Sequence, residues 1–319
     1  MSKLVVSSSP HVHSEFSTRK IMGMVILALI PAGITGTYFL GLRSLAVIAA
    51  CIIACVLSEF FWNKCVMKRK NTINDLSAVV TGLLLAYNLP PTIPIWMAVC
   101  GSIFAIIIVK EFYGGIGCNI VNPALAARAM MLISWPTAMT TWTVQGVSGA
   151  TPLAAMKAGS VANIPSFWNM LAGNMGGCIG ETSSILLIIG GIYLIWENVI
   201  SWRIPLTYIL TTAILAALFK HGGWMYPLHE IVTGGLLLGA IFMATDYTTS
   251  PMTEKGQYIY AFGCGLLTAL IRTFGGYPEG VSYSILIMNV AVPLIDKYTA
   301  PVVLGAPKSN FFKRMGGKA

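Results

Sequence analysis

The residues best placed to do chemistry lie in Ser148-Gly149-Ala150-Thr151. A threonine hydroxyl is a nucleophile, and the glycine and alanine before it leave the backbone open to close approach. A phosphorylated group and the transferase that delivers it need that access. The run 146–153 has no apolar period, so core packing does not account for it; a turn punctuated by Gly149 and Pro152 does, and is the competing reading. A second set is built on carboxylates. Asp246 stands among Thr245, Thr248 and Thr249. A carboxylate ringed by hydroxyl and carbonyl oxygens is the donor set of a hard cation such as sodium. Asp75 opens an apolar stretch in a comparable place. For both acids a helix cap or a solvated helix end weighs as much as an ion-coupling role. Arg128 lies inside an apolar stretch, where charge is costly. It is a partner either for such an acid or in plain structural pairing.

What must position these groups is a membrane bundle. Of 319 residues, 56% are hydrophobic and 10% charged, whereas soluble domains have roughly a quarter charged. Apolar stretches recur at 21–40, 42–62, 76–89, 93–109, 121–135, 184–199, 204–219, 231–244, 258–273 and 281–295. The expectation is an all-α polytopic membrane protein with about ten transmembrane helices. Several stretches are shorter than the ~20 residues of a full crossing, so broken or re-entrant pieces are expected. The plan is a tail over 1–20, a transmembrane domain over 21–296 and a tail over 297–319, with residues 136–183 as the long loop carrying Thr151. The polar start, followed by a long apolar run without a small-residue cleavage site, does not read as a cleaved signal.

The formal charge of +9 invites a nucleic-acid reading, but its distribution excludes one. With the N-terminus in the cytoplasm, fifteen of the twenty Lys and Arg residues fall inside and four outside, with Arg128 left in the fifth stretch. That asymmetry puts both tails inside and the Thr151 loop outside. The seven cysteines include no CxxC pair, and no iron–sulfur cluster held by this chain alone is expected.

A weak internal repeat accompanies the pattern. Val80-Thr81-Gly82-Leu83 is echoed by Val232-Thr233-Gly234-Gly235, and Phe112-Tyr113-Gly114-Gly115 by Thr273-Phe274-Gly275-Gly276. Two copies five spans apart run in opposite senses, the inverted-repeat plan of many transporters.

Several motifs then combine. They are Ser9-Pro10-His11-Val12-His13-Ser14, the stretch from Ile21 to Pro31, Gly115-Ile116-Gly117-Cys118-Asn119-Ile120-Val121-Asn122-Pro123-Ala124, Ser148-Gly149-Ala150-Thr151, Gly177-Cys178-Ile179-Gly180-Glu181-Thr182-Ser183 and Phe242-Met243-Ala244-Thr245-Asp246. Together they resemble the D subunit of the Rnf complexes, a family related to the B subunit of the sodium-pumping NADH:quinone reductase. The resemblance covers essentially the whole chain. It implies a subunit of the bacterial cytoplasmic membrane that relays electrons between ferredoxin and NAD, coupled to Na+ or H+ transport. It implies FMN held by a phosphoester to Thr151, made by a separate flavin transferase outside the cytoplasm. Gln145 stands where the wider motif often has Asp. It further implies a non-covalent riboflavin near Asn119 and Asn122, whose amides can pair with the donor–acceptor edge of the ring; capping of the fifth helix is the other use of the same two residues. The chain has no Gly-x-Gly-x-x-Gly after a strand, so the nucleotide and iron–sulfur domains belong to partner subunits. The alternative from another class is an inverted-repeat permease or channel without redox chemistry.

Overall fold

The computed structural model describes residues 16–69, 72–144, 147–148, 151–157, 166–173, 175–219, 225–276 and 279–301. The N-terminal motif with His11 and His13, the residues Gln145, Gly149 and Ala150, and most of the C-terminal tail lie outside them.

The chain opens with α1 (Thr18–Leu40), capped by Ser17, whose hydroxyl accepts from the Lys20 amide. Gly41, at φ 89°, turns the chain directly into α2 (Leu42–Phe61), which continues as a π-helical turn over Trp62–Val66. Next comes α3 (Ser77–Tyr87), ended before Pro90. Every residue of α3 except Val79 is buried, as a helix apolar all round must be. It lies between α2 and α5 (Pro123–Ser134). A Cβ added to Gly82 would stand 2.9 Å from the Ile52 Cα and 3.0 Å from the Cys51 carbonyl oxygen, so glycine lets the backbones of α2 and α3 meet. The fourth helix, α4 (Ile95–Ile103), extends through a π-helical segment to Lys110.

The second half begins with α9 (Ser184–Trp196) and α10 (Arg203–Phe219). Among the described residues between the halves lie four short helical elements: α6 (Pro136–Met139), α7 (Pro152–Lys157), α8 (Phe167–Ala172) and a 3-10 turn over Ile179–Glu181. The eighth apolar stretch is not one helix. It begins in the last two residues of α11 (Met225–Val232), breaks at Gly234 and Gly235 with φ 67° and 66°, and resumes as α12 (Leu236–Leu238) running into a π-helical turn to Met243. Two successive left-handed residues stop a right-handed helix, and glycine bears that conformation without a Cβ penalty. Then α13 (Glu254–Phe274) and α14 (Val281–Thr299) close the fold.

Each of the ten expected stretches is therefore helical, one of them broken. Among the described residues three helical runs are long and apolar enough to cross a membrane: Thr18–Leu40, Leu42–Val66 and Ile95–Tyr113. At 1.5 Å per residue, an 11-residue helix such as α3 spans about 16 Å, roughly half of the hydrocarbon layer. The all-α expectation needs one amendment. Residues Thr143–Val144 and Val147–Ser148 form a two-residue antiparallel ribbon immediately before Thr151. The segment 136–183, expected as loop, also holds the short helices just named.

Polarity is inverted relative to a water-soluble domain. Leu27, Ile34, Ile53, Leu57, Ile189 and Ile192 are all more than half exposed, while Glu59, Lys110, Arg128, Glu230 and Arg272 are buried. Lipid outside and paired charge inside give that distribution; water outside does not. The two halves meet where α1 packs on α9 and α5 on α14. The echoed threonines also behave alike: Thr81 donates to the Ser77 carbonyl at 3.0 Å and Thr233 to the His229 carbonyl at 2.7 Å.

Candidate functional site

Thr151 is the residue before α7. Its hydroxyl oxygen accepts from the Ala154 amide at 3.2 Å, and its carbonyl accepts from the Ala155 amide at 2.9 Å. This is an N-cap, with Pro152 at the first helical position. The side chain is buried, not open as the small neighbours in the sequence suggested. The cause is that α7 seats on the second half. A Cβ at Gly234 would lie 2.7 Å from Leu153 Cδ2, and Lys157 donates to the Gly275 carbonyl. The chemistry fits a phosphoester all the same: esterification replaces the hydroxyl hydrogen, which the cap does not use. Attachment requires α7 to lift from Gly234 or to be loaded before it seats. Of the neighbouring motif, Ser148 lies in the ribbon.

A separate cavity of about 400 Å³ opens between α1, α3, α5, α9 and the turn before Asp246. Ile21, Val25 and Phe242 give it apolar walls, and Lys110, Asn119 and Asp246 supply polar atoms. Its size falls in the ~300–1,000 Å³ range of small-molecule sites. Asn119 donates to Asp246 Oδ2 at 3.4 Å and to the Val121 carbonyl at 3.2 Å, and accepts from the Thr248 hydroxyl at 2.9 Å. Asn122 caps α5 through the Ala124 and Leu125 amides at 3.1 and 3.3 Å, and donates to the Met243 carbonyl at 3.3 Å. The capping use is thus what the structure shows for Asn122, while Asn119 faces Asp246 across 127 residues of sequence. A flat ring with one polar edge suits this lining; Lys110 has one N–H beyond its bonds to Glu59 and Ser77, and Asn119 could donate only by giving up Val121 or Asp246.

Asp246 is half-buried, and its Oδ2 also accepts from the Thr248 and Thr249 hydroxyls at 3.0 and 3.2 Å. Three oxygen-bearing side chains, Asn119 among them, converge on it. Asp75 is placed differently. Its Oδ1 accepts from the Ser77 amide at 2.8 Å and hydroxyl at 2.7 Å, so it holds the first residue of α3 from one position outside the Leu76 cap. Ser77 in turn receives Lys110 Nζ at 2.6 Å, and Lys110 pairs with Glu59 at 2.6 Å. Both Ser77 and Lys110 line the cavity that Asp246 lines. Glu59 is fully buried in that pair.

Arg128 takes the pairing role. It donates to Glu279, to Ser282 Oγ at 2.6 Å, to Asn88 Oδ1 at 3.4 Å and to Cys178 Sγ at 3.6 Å. Arg272 does the equivalent in α13, donating to the carbonyls of Glu230, Thr233 and Gly234 at 2.8, 3.2 and 3.2 Å. Glu230, Glu279 and Arg272 carried no local signal in the sequence. Glu181 did, inside Gly177–Ser183.

The membrane-type polarity and the shared cavity define the class, and similarity to known proteins names it. Residues 5–305 match the NQR2, RnfD, RnfE family, and the chain belongs to that family. It is 52% identical over 311 residues, 96% of each chain, to the D subunit of the Na+-translocating ferredoxin:NAD+ oxidoreductase complex of Acetobacterium woodii. It is 47% identical over 317 residues to the D subunit of the proton-translocating ferredoxin:NAD+ oxidoreductase complex of Clostridium ljungdahlii, covering 94% of this chain and 96% of that one. Identity to the D subunit of the ion-translocating oxidoreductase complex of Aliivibrio salmonicida is 36% over 349 residues, covering 95% and 99%.

Proposed function

We infer that this chain is the D subunit of an ion-translocating ferredoxin:NAD+ oxidoreductase complex, a membrane electron-transport enzyme that it completes together with other subunits. The observation that carries the reading is the 52% identity along 96% of both chains to a relative bearing that name. Within the complex, Thr151 holds FMN through a phosphoester set by a flavin transferase, and the cavity at Asn119 holds a second, non-covalent flavin such as riboflavin. A bound flavin supplies one- or two-electron transfer. The chain's own residues do the rest. Thr151 fixes the phosphate end to the start of α7. Apolar walls from α1 and the Phe242 turn exclude water from the cavity. Lys110, its charge balanced by Glu59, offers its remaining N–H to a ring edge, and Asn119 donates to that edge by exchanging its bond to Asp246. Asn122 keeps α5 and the Met243 turn in register.

The ten helical stretches cross the bacterial inner membrane as two inverted five-helix repeats, with both termini in the cytoplasm and α7 on the opposite side. Support comes from the basic-residue asymmetry and from the parallel hydrogen bonds of Thr81 and Thr233. The coupled ion is Na+ or H+; the relatives from Acetobacterium woodii and Clostridium ljungdahlii carry different ions in their names. Asp246, with its hydroxyl partners, is the ion-coupling carboxylate, and Asp75 serves through Ser77 and Lys110 at the far wall of the same cavity.

The test is a denaturing gel of the native complex under ultraviolet light. A fluorescent band for this subunit that is lost in Thr151→Ala is expected. A dark wild-type band from a host with the transferase would instead favour a permease without redox chemistry.

A further inference from the structure

On the side of the fold that carries α7, one buried carboxyl oxygen has no hydrogen-bond donor. Glu181 ends the 3-10 turn before α9 and is 6% exposed. Its Oε1 has no hydrogen-bond partner among the described residues. Two glycines close around it: a Cβ at Gly235 would stand 3.0 Å from Oε1, and one at Gly177 2.8 Å from Oε2. Atoms of Cys178, Glu181 and Glu279 lie within 4.8 Å of one another. The charges facing Glu181 come from four elements: Cys178 on its own turn, Arg128 on α5, Glu279 before α14, and Arg272 on α13, with Glu230 of α11 beyond it. Neither guanidinium donates a hydrogen bond to Glu181, although the charges of both favour its ionised form against burial and Glu279. Arg128 is taken by Glu279, Ser282 and Asn88, and Arg272 by three carbonyls.

A buried ionised carboxylate with one oxygen lacking a donor, and only a weak thiol hydrogen bond from Cys178 to set against that, is costly enough that neutralisation is the cheaper outcome. Two agents neutralise it: a metal cation or a proton. A hard cation needs a shell of roughly six oxygens, and this cluster offers two carboxylates and a thiol, with the Arg128 guanidinium 3.6 Å from that thiol. A proton needs one oxygen. We propose that Glu181 is a proton-binding site, a buried acid that forms an O–H bond at Oε1 with a proton drawn from the α7 side of the membrane past the half-buried Glu279, and returns it by the same route. Burial and the facing Glu279 carboxylate push the Glu181 carboxyl up to about 7, so the group changes charge under physiological conditions.

Its position gives the proton a use. Leu153, two residues beyond Thr151, meets Gly234, and the next residue, Gly235, meets Glu181. If the reading of Thr151 above holds, on which this use rests, protonation of Glu181 offsets negative charge arriving at the group that Thr151 carries. The proton site itself stands without that reading.

The experiment is pH-difference infrared spectroscopy of the intact complex, comparing wild type with Glu181→Gln. The expected result is a protonated-carboxyl C=O band that grows as pH falls through about 7 in the wild type and is missing from the variant. Glu279→Gln removes the like charge and frees Arg128, so it lowers the midpoint of the band by one pH unit or more without abolishing it. That variant keeps the test alive where Glu181→Gln fails to assemble. Identical wild-type and Glu181→Gln spectra, an unmoved midpoint in Glu279→Gln, or loss of the band on adding Na+ at fixed pH would each overturn the proposal, the last by showing a metal-ion site. Because Thr151→Ala leaves this band in place, a failed flavin assignment and a failed proton site give different results.

Discussion

At Thr151 one oxygen has two tasks. It accepts the Ala154 amide as a helix cap, and it is the atom to which a phosphate would be joined. The hydroxyl and its small neighbours are legible in the sequence, but its burial is not, because Leu153 seats on a glycine more than eighty positions away. The same limit applies to the charged residues. Asn122-Pro123 announces its cap locally, and the structure has that cap. Lys110 and Glu59 are 51 residues apart, and Arg128 and Glu279 151 apart, so nothing local tells which cation meets which acid. Buried pairing has a measurable signature. Lys110→Met leaves the Glu59 carboxylate uncompensated and should cost about 3–5 kcal/mol. Lys110→Met combined with Glu59→Leu should recover much of that loss. Thermal unfolding of the detergent-solubilised protein checks the pair, and purely additive losses would show that the two side chains do not depend on each other.

Among the elements, apolar runs located the helices closely because lipid-facing and core-facing residues are both apolar, and hydropathy then marks an element's whole length. The interruption of the eighth stretch escaped the same logic. The Gly234-Gly235 pair marks a candidate stop in the sequence, and the left-handed backbone at both shows that it is one. Buried charged groups gather at such interruptions. Arg272 binds the carbonyls freed at Thr233 and Gly234, and Lys110 reaches the first residue of α3. Short elements place helix ends, with their unpaired carbonyls and amides, inside the protein, where charge can be held. Close backbone packing is what keeps them there. Gly82→Ala puts a methyl group against the α2 backbone and should destabilise the protein by about 1–3 kcal/mol. The same change at Gly23, which has no atom within 4 Å of an added Cβ, should be close to neutral. Melting both variants side by side checks the contrast.

For the whole molecule, the inversion of polarity was the plainest message of the composition, and the structure carries it: apolar side chains outward, ion pairs inward. The proposed two-copy arrangement has only a faint echo in the sequence; Thr81 and Thr233 each bond the carbonyl four residues back, as helical threonines commonly do. The cavity joins the halves, with Ser77 and Lys110 from one and Asp246 and Thr248 from the other. A charge change at Asp246 should therefore reach the coupled ion. If Na+ is that ion, Asp246→Asn should weaken the sodium dependence of electron transfer by at least tenfold in half-saturating concentration, measured in sealed vesicles. Unchanged sodium dependence would remove Asp246 from the pathway. The flavin-carrying role is tested most directly by mass spectrometry of the proteolytic peptide containing Thr151, taken from the native complex. The expected peptide is heavier by one phosphoester-linked FMN, with the added mass localised to the Thr151 side chain. A peptide whose Thr151 is unmodified, from cells that make the transferase, would contradict that role.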